Sequence, residues 1–147
     1  MDAFSQLLVV CTGNICRSPL AEALLRQRLA ARRPNAQVRS AGTAAVVDEP
    51  ADPMAQQFGA RLGVDLGAHR GQQLDREALH WADLVLVLDD GHRQRVLALD
   101  PAVRGKVFLL GQFGVGAIPD PYRRSPEFWQ EVAQFIDQSV SEWVARL

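Results

Sequence analysis

At 147 residues the chain is long enough to bury one sizeable core, and residues 1–147 read as a single domain without a linker. Its 48% hydrophobic and 22% charged residues are an ordinary globular composition. The net charge of −1 gives no push toward nucleic acid or an anionic membrane, so neither is expected as a partner and local features must choose one.

The first six residues hold no basic region, and the apolar run 7–10 is too short for a signal-peptide core or a membrane span. A cytoplasmic protein without membrane insertion is expected. Leu7, Leu8, Val9 and Val10 are an unbroken run of strand formers. Ser18-Pro19 followed by Leu20, Ala21, Leu24 and Leu25 reads as a helix over residues 19–31, opened by a hydroxyl cap and a proline in its first turn. The loop between joins a buried strand to a helix start, where backbone N–H groups without intrahelical partners converge and make an anion cradle that fits a phosphate. Cys11 opens that loop and Arg17 follows in a C-x5-R pattern. Unpaired N–H groups, a helix dipole and a guanidinium favour thiolate over thiol, which makes Cys11 a nucleophile. The planar fork of Arg17 suits two phosphoryl oxygens at once, and Gly13 lets the backbone approach the anion.

Pro34-Asn35 ends the first helix, and residues 36–41 read as a second strand closing at Gly42, with Ser40 at its end. Residues 43–53 lack a period and form a loop; Asp52-Pro53 caps a second helix through residue 62, with Met54, Phe58 and Leu62 spaced four apart. Residues 67–71 are a turn containing His69, residues 75–81 a short helix, and residues 83–88 a buried strand with Asp89 and Asp90 at its carboxyl end. In an open parallel sheet that end is the ligand side, although either Asp also suits a helix cap. Residues 92–99 make a helix with Val96, Leu97 and Leu99 as its apolar residues, ended by Asp100-Pro101, and residues 106–110 are the last strand. Residues 111–121 are loop, closed by Pro119-Asp120-Pro121. Ser125-Pro126 caps a long helix on which Phe128, Val132, Phe135, Ile136, Val140, Trp143, Val144 and Leu147 form a core stripe. Strands alternating with helices predict an α/β fold with a doubly wound parallel sheet and the Cys11 loop at a carboxyl edge.

Cys11 and Cys16 are the two cysteines, and a disulfide within one loop closes too small a ring to staple a fold, so they are read as chemical residues. Oxidation is expected to join them reversibly. His69, His80 and His92 are scattered singly, which makes zinc a poor expectation. A thiolate attacking phosphorus expels an alkoxide or phenoxide that leaves badly unless protonated. Asp120, braced by two prolines, is the candidate general acid, and Tyr122 just beyond it suits the wall of a site for a flat aromatic group.

CTGNICRSP at 11–19 after an apolar strand, SAGT at 40–43 and DPY at 120–122 resemble, in order and spacing, the low-molecular-weight protein tyrosine phosphatases over essentially the whole chain. The resemblance implies a three-layer, four-stranded, flavodoxin-like sheet. It implies hydrolysis of phosphotyrosine through an S-phosphocysteine on Cys11, with Arg17 as phosphate clamp, Asp120 as acid, and neither cofactor nor metal. Thr12, Gly13, Asn14, Ile15, Cys16 and Ser18 then hold the phosphate, while Tyr122, Val46 and Val47 line the crevice. Asn14 and Ser40 keep the loop in shape, His69 hydrogen-bonds it, and Asp89 orients Arg17 from behind. Many members carry an aromatic residue where this chain has Val46-Val47, and the aliphatic pair resembles the bacterial subset associated with capsule and exopolysaccharide tyrosine kinases. The implied partner is a phosphotyrosine protein such as a tyrosine-rich kinase tail, with inorganic phosphate as product. Three rivals are weaker. An arsenate reductase on this loop needs further cysteines and none follows Cys16; a non-catalytic binding module need not keep nucleophile, arginine and acid together; and a phosphoarginine phosphatase resembles the pattern with Thr where this chain has Ile15.

Overall fold

A computed structural model describes residues 4–147; Met1 to Ala3, half of the N-terminal stretch read above as lacking a basic region, lie outside the described residues. Four parallel strands, β1 (Gln6–Cys11), β2 (Gln37–Gly42), β3 (Leu84–Val87) and β4 (Val107–Leu109), form one sheet in the order β2-β1-β3-β4. Helices α1 (Arg17–Leu29), α2 (Pro53–Arg61), α3 (Arg76–Trp81), α4 (Asp90–Leu99) and α5 (Pro126–Val144) make the crossovers and cover both faces. This is the doubly wound α/β arrangement that the strand–helix alternation predicts.

Both faces of β3, and of β1 from Leu7 onward, are buried, so these stretches are continuously apolar and alternate between two cores with the strand period of two. Leu7, Val9, Leu84 and Leu86 pack with α1, α2 and α5, where Leu20, Leu24, Phe58, Trp129 and Ile136 are buried. Leu8, Val10, Val85 and Val87 face the opposite core, with Leu79 of α3 and Val96 of α4. From the centre of the sheet the chain leaves β1 for β2 on one side, and the return to β3 falls on the other. The strand order therefore reverses at the carboxyl end of β1, where Cys11 stands, and such a switch point opens a crevice.

Local signals place most boundaries. Asp52 accepts from the Met54 amide at 2.8 Å, Asp75 from Ala78 at 2.8 Å and Ser125 from Phe128 at 3.2 Å, each opening its helix. The exceptions are instructive. Helix α1 starts at Arg17 rather than Pro19, with Cys16 at its N-cap and no side-chain cap, because the Ser18 hydroxyl is already taken by Cys11 and Asn14. Helix α4 starts at Asp90 rather than His92, capped by Asp89, and of its apolar residues Val96 is buried while Leu99 is 38% exposed. A 3₁₀ turn over Pro101–Lys106, capped by Asp100, precedes β4 and shortens that strand. On α5 the buried stripe includes Trp129, absent from the predicted one, which stacks on Phe58 with ring centroids 6.1 Å apart. No helix among the described residues is long and apolar enough to cross a membrane.

Candidate active site

The loop after β1 is shaped by where its carbonyls go. The oxygens of Cys11, Thr12, Gly13 and Ile15 accept from the amides of Thr43, Ala44, Val46 and Asp52 at 2.8–3.0 Å. His69 Nε2 lies 2.6 Å from the Asn14 oxygen. With every carbonyl of residues 11–15 turned outward onto residues 43–52 and His69, the peptide planes leave their N–H groups on the inner side. The amides of residues 12–16 have no acceptor among the described residues. An inward ring of donors at a helix start is what an anion requires. Gly42 permits the close approach, since a Cβ there would stand 2.3 Å from the Thr12 oxygen. Gly13 is different: a Cβ there meets only ordinary contacts, so its lack of a side chain serves the open space of the cleft it lines.

Asn14 holds this shape at φ 58°, a left-handed conformation unfavourable to a residue with a Cβ. Its side chain compensates with three hydrogen bonds: Nδ2 donates to Ser18 Oγ at 2.7 Å and Ser40 Oγ at 2.9 Å, and Oδ1 accepts from the Gln72 amide at 2.9 Å. Ser40 Oγ in turn lies 2.6 Å from Glu22 Oε1. The Glu22 carboxylate only accepts, so the Ser40 hydrogen points to it and Ser40 receives the Asn14 hydrogen. Ser18 receives the other, which leaves its own hydrogen for Cys11 Sγ, 2.8 Å away. Donation thus runs outward from the Asn14 amide along two branches, one ending on the Glu22 carboxylate and the other in a hydrogen bond donated to the sulfur.

Arg17 is 3% exposed and held from behind, its Nη1 donating to the Ile118 carbonyl at 2.7 Å and standing 3.4 Å from Asp89 Oδ2. Asp89 does both things its position allows: it pairs with Arg17 and caps α4 through the His92 amide at 3.0 Å. Partial burial pushes its carboxyl up, but the hydrogen bond from the His92 amide and the neighbouring Arg17 charge outweigh this and hold it below the usual carboxylate range. His92, 4% exposed, was legible only as one of three scattered histidines. Its Nε2 lies 2.8 Å from Thr12 Oγ1 and its amide donates to Asp89 Oδ1, so it links the loop to the carboxylate behind Arg17, while its buried Nδ1, 3.3 Å from Asp89 Oδ1, makes no hydrogen bond among the described residues. Burial, with the Arg17 charge, moves its pKa down against the pull of Asp89, which favours neutral imidazole.

Above the loop opens a cleft of about 250 Å³. Cys11, Cys16 and Arg17 are its buried residues, Ile15, Val46 and Tyr122 give it apolar walls, and the exposed Asp120 faces the same space. Asp120 Oδ1 accepts from the Tyr122 amide at 3.0 Å, which fixes its carboxylate within a segment braced by Pro119 and Pro121. Both cysteines are free thiols, and burial pushes the Cys16 thiol far up, which favours its protonated form. Thr12 and Gly13 also line the cleft, as does Ala44, which no sequence signal marks. Asn14 and Ser18 are fully buried and act behind the loop with Ser40, His69 and Asp89. Val47, expected at the crevice, is 55% exposed and lies outside the cleft; the turn at Val46–Glu49 brings only Val46 to it. A larger cleft of about 440 Å³ lies against Ser40 and His69 but contains no cysteine. Among the described residues no group of three His, Cys, Asp or Glu is arranged to hold a metal ion.

The family model described as low molecular weight phosphotyrosine protein phosphatase matches residues 6–147. The low molecular weight protein-tyrosine-phosphatase Etp of Escherichia coli (strain K12) is 43% identical over 145 residues, covering 98% of this chain and 95% of Etp. The structure of Vibrio vulnificus Wzb in complex with benzylphosphonate superposes with a TM-score of 0.92 at 40% identity, covering 98% of this chain and 99% of that one. The YwlE arginine phosphatase from Geobacillus stearothermophilus superposes with a TM-score of 0.87 at 31% identity, covering 96% and 91%.

Proposed function

The chain belongs to the low molecular weight phosphotyrosine protein phosphatase family, and we propose that it hydrolyses phosphotyrosine by two in-line displacements through an S-phosphocysteine on Cys11. The observation that carries this reading is the convergence of Cys11, Arg17 and Asp120 on one cleft whose loop amides face inward. In the first step the Cys11 sulfur attacks phosphorus and the tyrosine oxygen departs, taking a proton from Asp120. In the second, water attacks the phosphocysteine, Asp120 takes the proton, and the sulfur leaves as a thiolate that the Ser18 hydroxyl stabilises. Inorganic phosphate is the product. Arg17 and the loop amides meet the charge on the equatorial oxygens, the largest contribution expected in phosphoryl transfer, so the scheme needs no metal. Slowing of about 10²–10⁴-fold is expected for Asp120→Asn on phosphotyrosine, with a smaller loss in the burst phase for aryl phosphates whose phenols are more acidic. Equal losses for good and poor leaving groups would show that another group is the acid.

The walls select the substrate. Ile15, Val46 and Tyr122 offer apolar surface to a flat phenyl ring, and phosphoserine is too short to reach Cys11 while its backbone stays outside. A phosphoarginine would leave guanidinium N–H groups unpaired against Ile15, at about 1–3 kcal/mol for each buried unsatisfied group. The benzylphosphonate on the Wzb relative, an aryl group next to a phosphonate, fits the same reasoning. Peptides carrying phosphotyrosine should therefore be hydrolysed far faster than phosphoserine or phosphoarginine peptides in metal-free buffer, and comparable rates would overturn this account of the walls. By resemblance to the bacterial subset with an aliphatic wall, we assign as partner a tyrosine-rich tail of a kinase of polysaccharide export. The two free thiols suit the reducing cytoplasm.

A further inference from the structure

The cleft mouth is electrically lopsided. Beyond Tyr122, Arg123 and Arg124 are both exposed, and neither pairs with a carboxylate among the described residues. Both are nevertheless held. The Arg123 guanidinium lies 5.1 Å from the centre of the Tyr122 ring, and Arg124 lies 4.2 Å from that of Phe128 on α5. The Arg124 amide closes the turn onto the Pro121 carbonyl at 2.9 Å, and Arg123 takes φ 60° within it. Stacking on rings limits the rotamer entropy that long side chains otherwise lose on pairing, and leaves the charges to the solvent side. Across the cleft, the wall that begins at Val46 continues into the exposed Asp48 and Glu49. Two cations thus follow Tyr122, beyond the Asp120 carboxylate that the Tyr122 amide holds, and two carboxylates follow Val46, where Gly71, next to Arg70, bonds to both.

We propose that Arg123 and Arg124 are specificity-determining residues that select phosphotyrosine sites flanked by acidic residues on the side of the peptide that passes Tyr122. This rests on the phosphotyrosine reading of the cleft. With a net charge of −1 the protein as a whole does not attract an acidic peptide, so the selection is local. At physiological ionic strength the Debye length is about 8 Å, and an extended chain advances about 3.3 Å per residue, so the reach is roughly two or three residues from the phosphotyrosine. Acidic residues on the other flank meet Asp48 and Glu49 and gain nothing.

The test compares kcat/KM on three phosphotyrosine peptides, one neutral, one with Asp and Glu before the tyrosine and one with them after it. One acidic peptide should exceed the neutral one by about 2- to 30-fold, the scale of two exposed ion pairs, and the advantage should shrink as salt is raised. In the Arg123→Glu, Arg124→Glu protein that advantage should vanish or reverse, while turnover of a small aryl phosphate stays as in wild type. Equal rates on all three peptides, or an advantage that survives the charge reversal or high salt, would overturn the proposal. If the double variant loses aryl phosphate turnover, the salt dependence of the wild type decides alone. Failure on every phosphotyrosine peptide would instead count against the phosphotyrosine reading itself, which equal hydrolysis of the three leaves intact.

Discussion

Cys11→Ser should have no measurable phosphatase activity yet still bind phosphate in the cleft. The two halves of this expectation come from different atoms. Turnover needs the sulfur, and removing the nucleophile of a residue set that acts as a unit costs on the order of 10⁴-fold or more. Binding needs the inward amides of residues 12–16 and the Arg17 guanidinium, and neither depends on the sulfur, because the loop is held by outward carbonyls and by Asn14. Phosphate binding measured by calorimetry alongside steady-state turnover checks both. Turnover above background removes Cys11 as the nucleophile, and loss of phosphate binding with the fold intact removes the amide cradle.

Arg17→Lys should be nearly inactive, with a loss of at least about 10²–10³-fold, the cost of a single missing preorganised donor, and a further loss from misplacement. The guanidinium satisfies the Ile118 carbonyl and Asp89 from behind while its remaining donors face the cleft. A single ammonium cannot make both sets of contacts, and whichever set it abandons leaves either a buried carbonyl or the phosphate unmatched. Unfolding and kinetic measurements on the same protein separate the two costs. A mild kinetic phenotype would mean that Arg17 does not touch the phosphate.

What the sequence made legible is what is contiguous in it. Cys11, Arg17 and the loop between them lie within one strand–loop–helix unit, and Asp120 carries its own local signal in two prolines. Glu22 and His92 carry none. Glu22 sits among the alanines and leucines of α1, and reaches the loop only because β2 pairs with β1 and brings Ser40 beside Asn14. His92 lies in the first turn of α4 and meets Thr12 only because β3 lies against β1. Val47 failed for the opposite reason, since adjacency to Val46 says nothing of which residue a turn presents. The Ser18 cap failed because a local preference lost to a tertiary one, the hydroxyl being claimed by the sulfur and Asn14.

The claim that the reaction passes through phosphorus bonded to Cys11 is tested most directly by trapping that bond. Wild-type protein mixed with a phosphotyrosine peptide and quenched in acid within the first turnover should gain the mass of one phosphoryl group, located on the Cys11 peptide and absent from the Cys11→Ser protein. Hydrolysis proceeding with a burst of free phosphate and no phosphorylated Cys11 at any quench time would contradict the account.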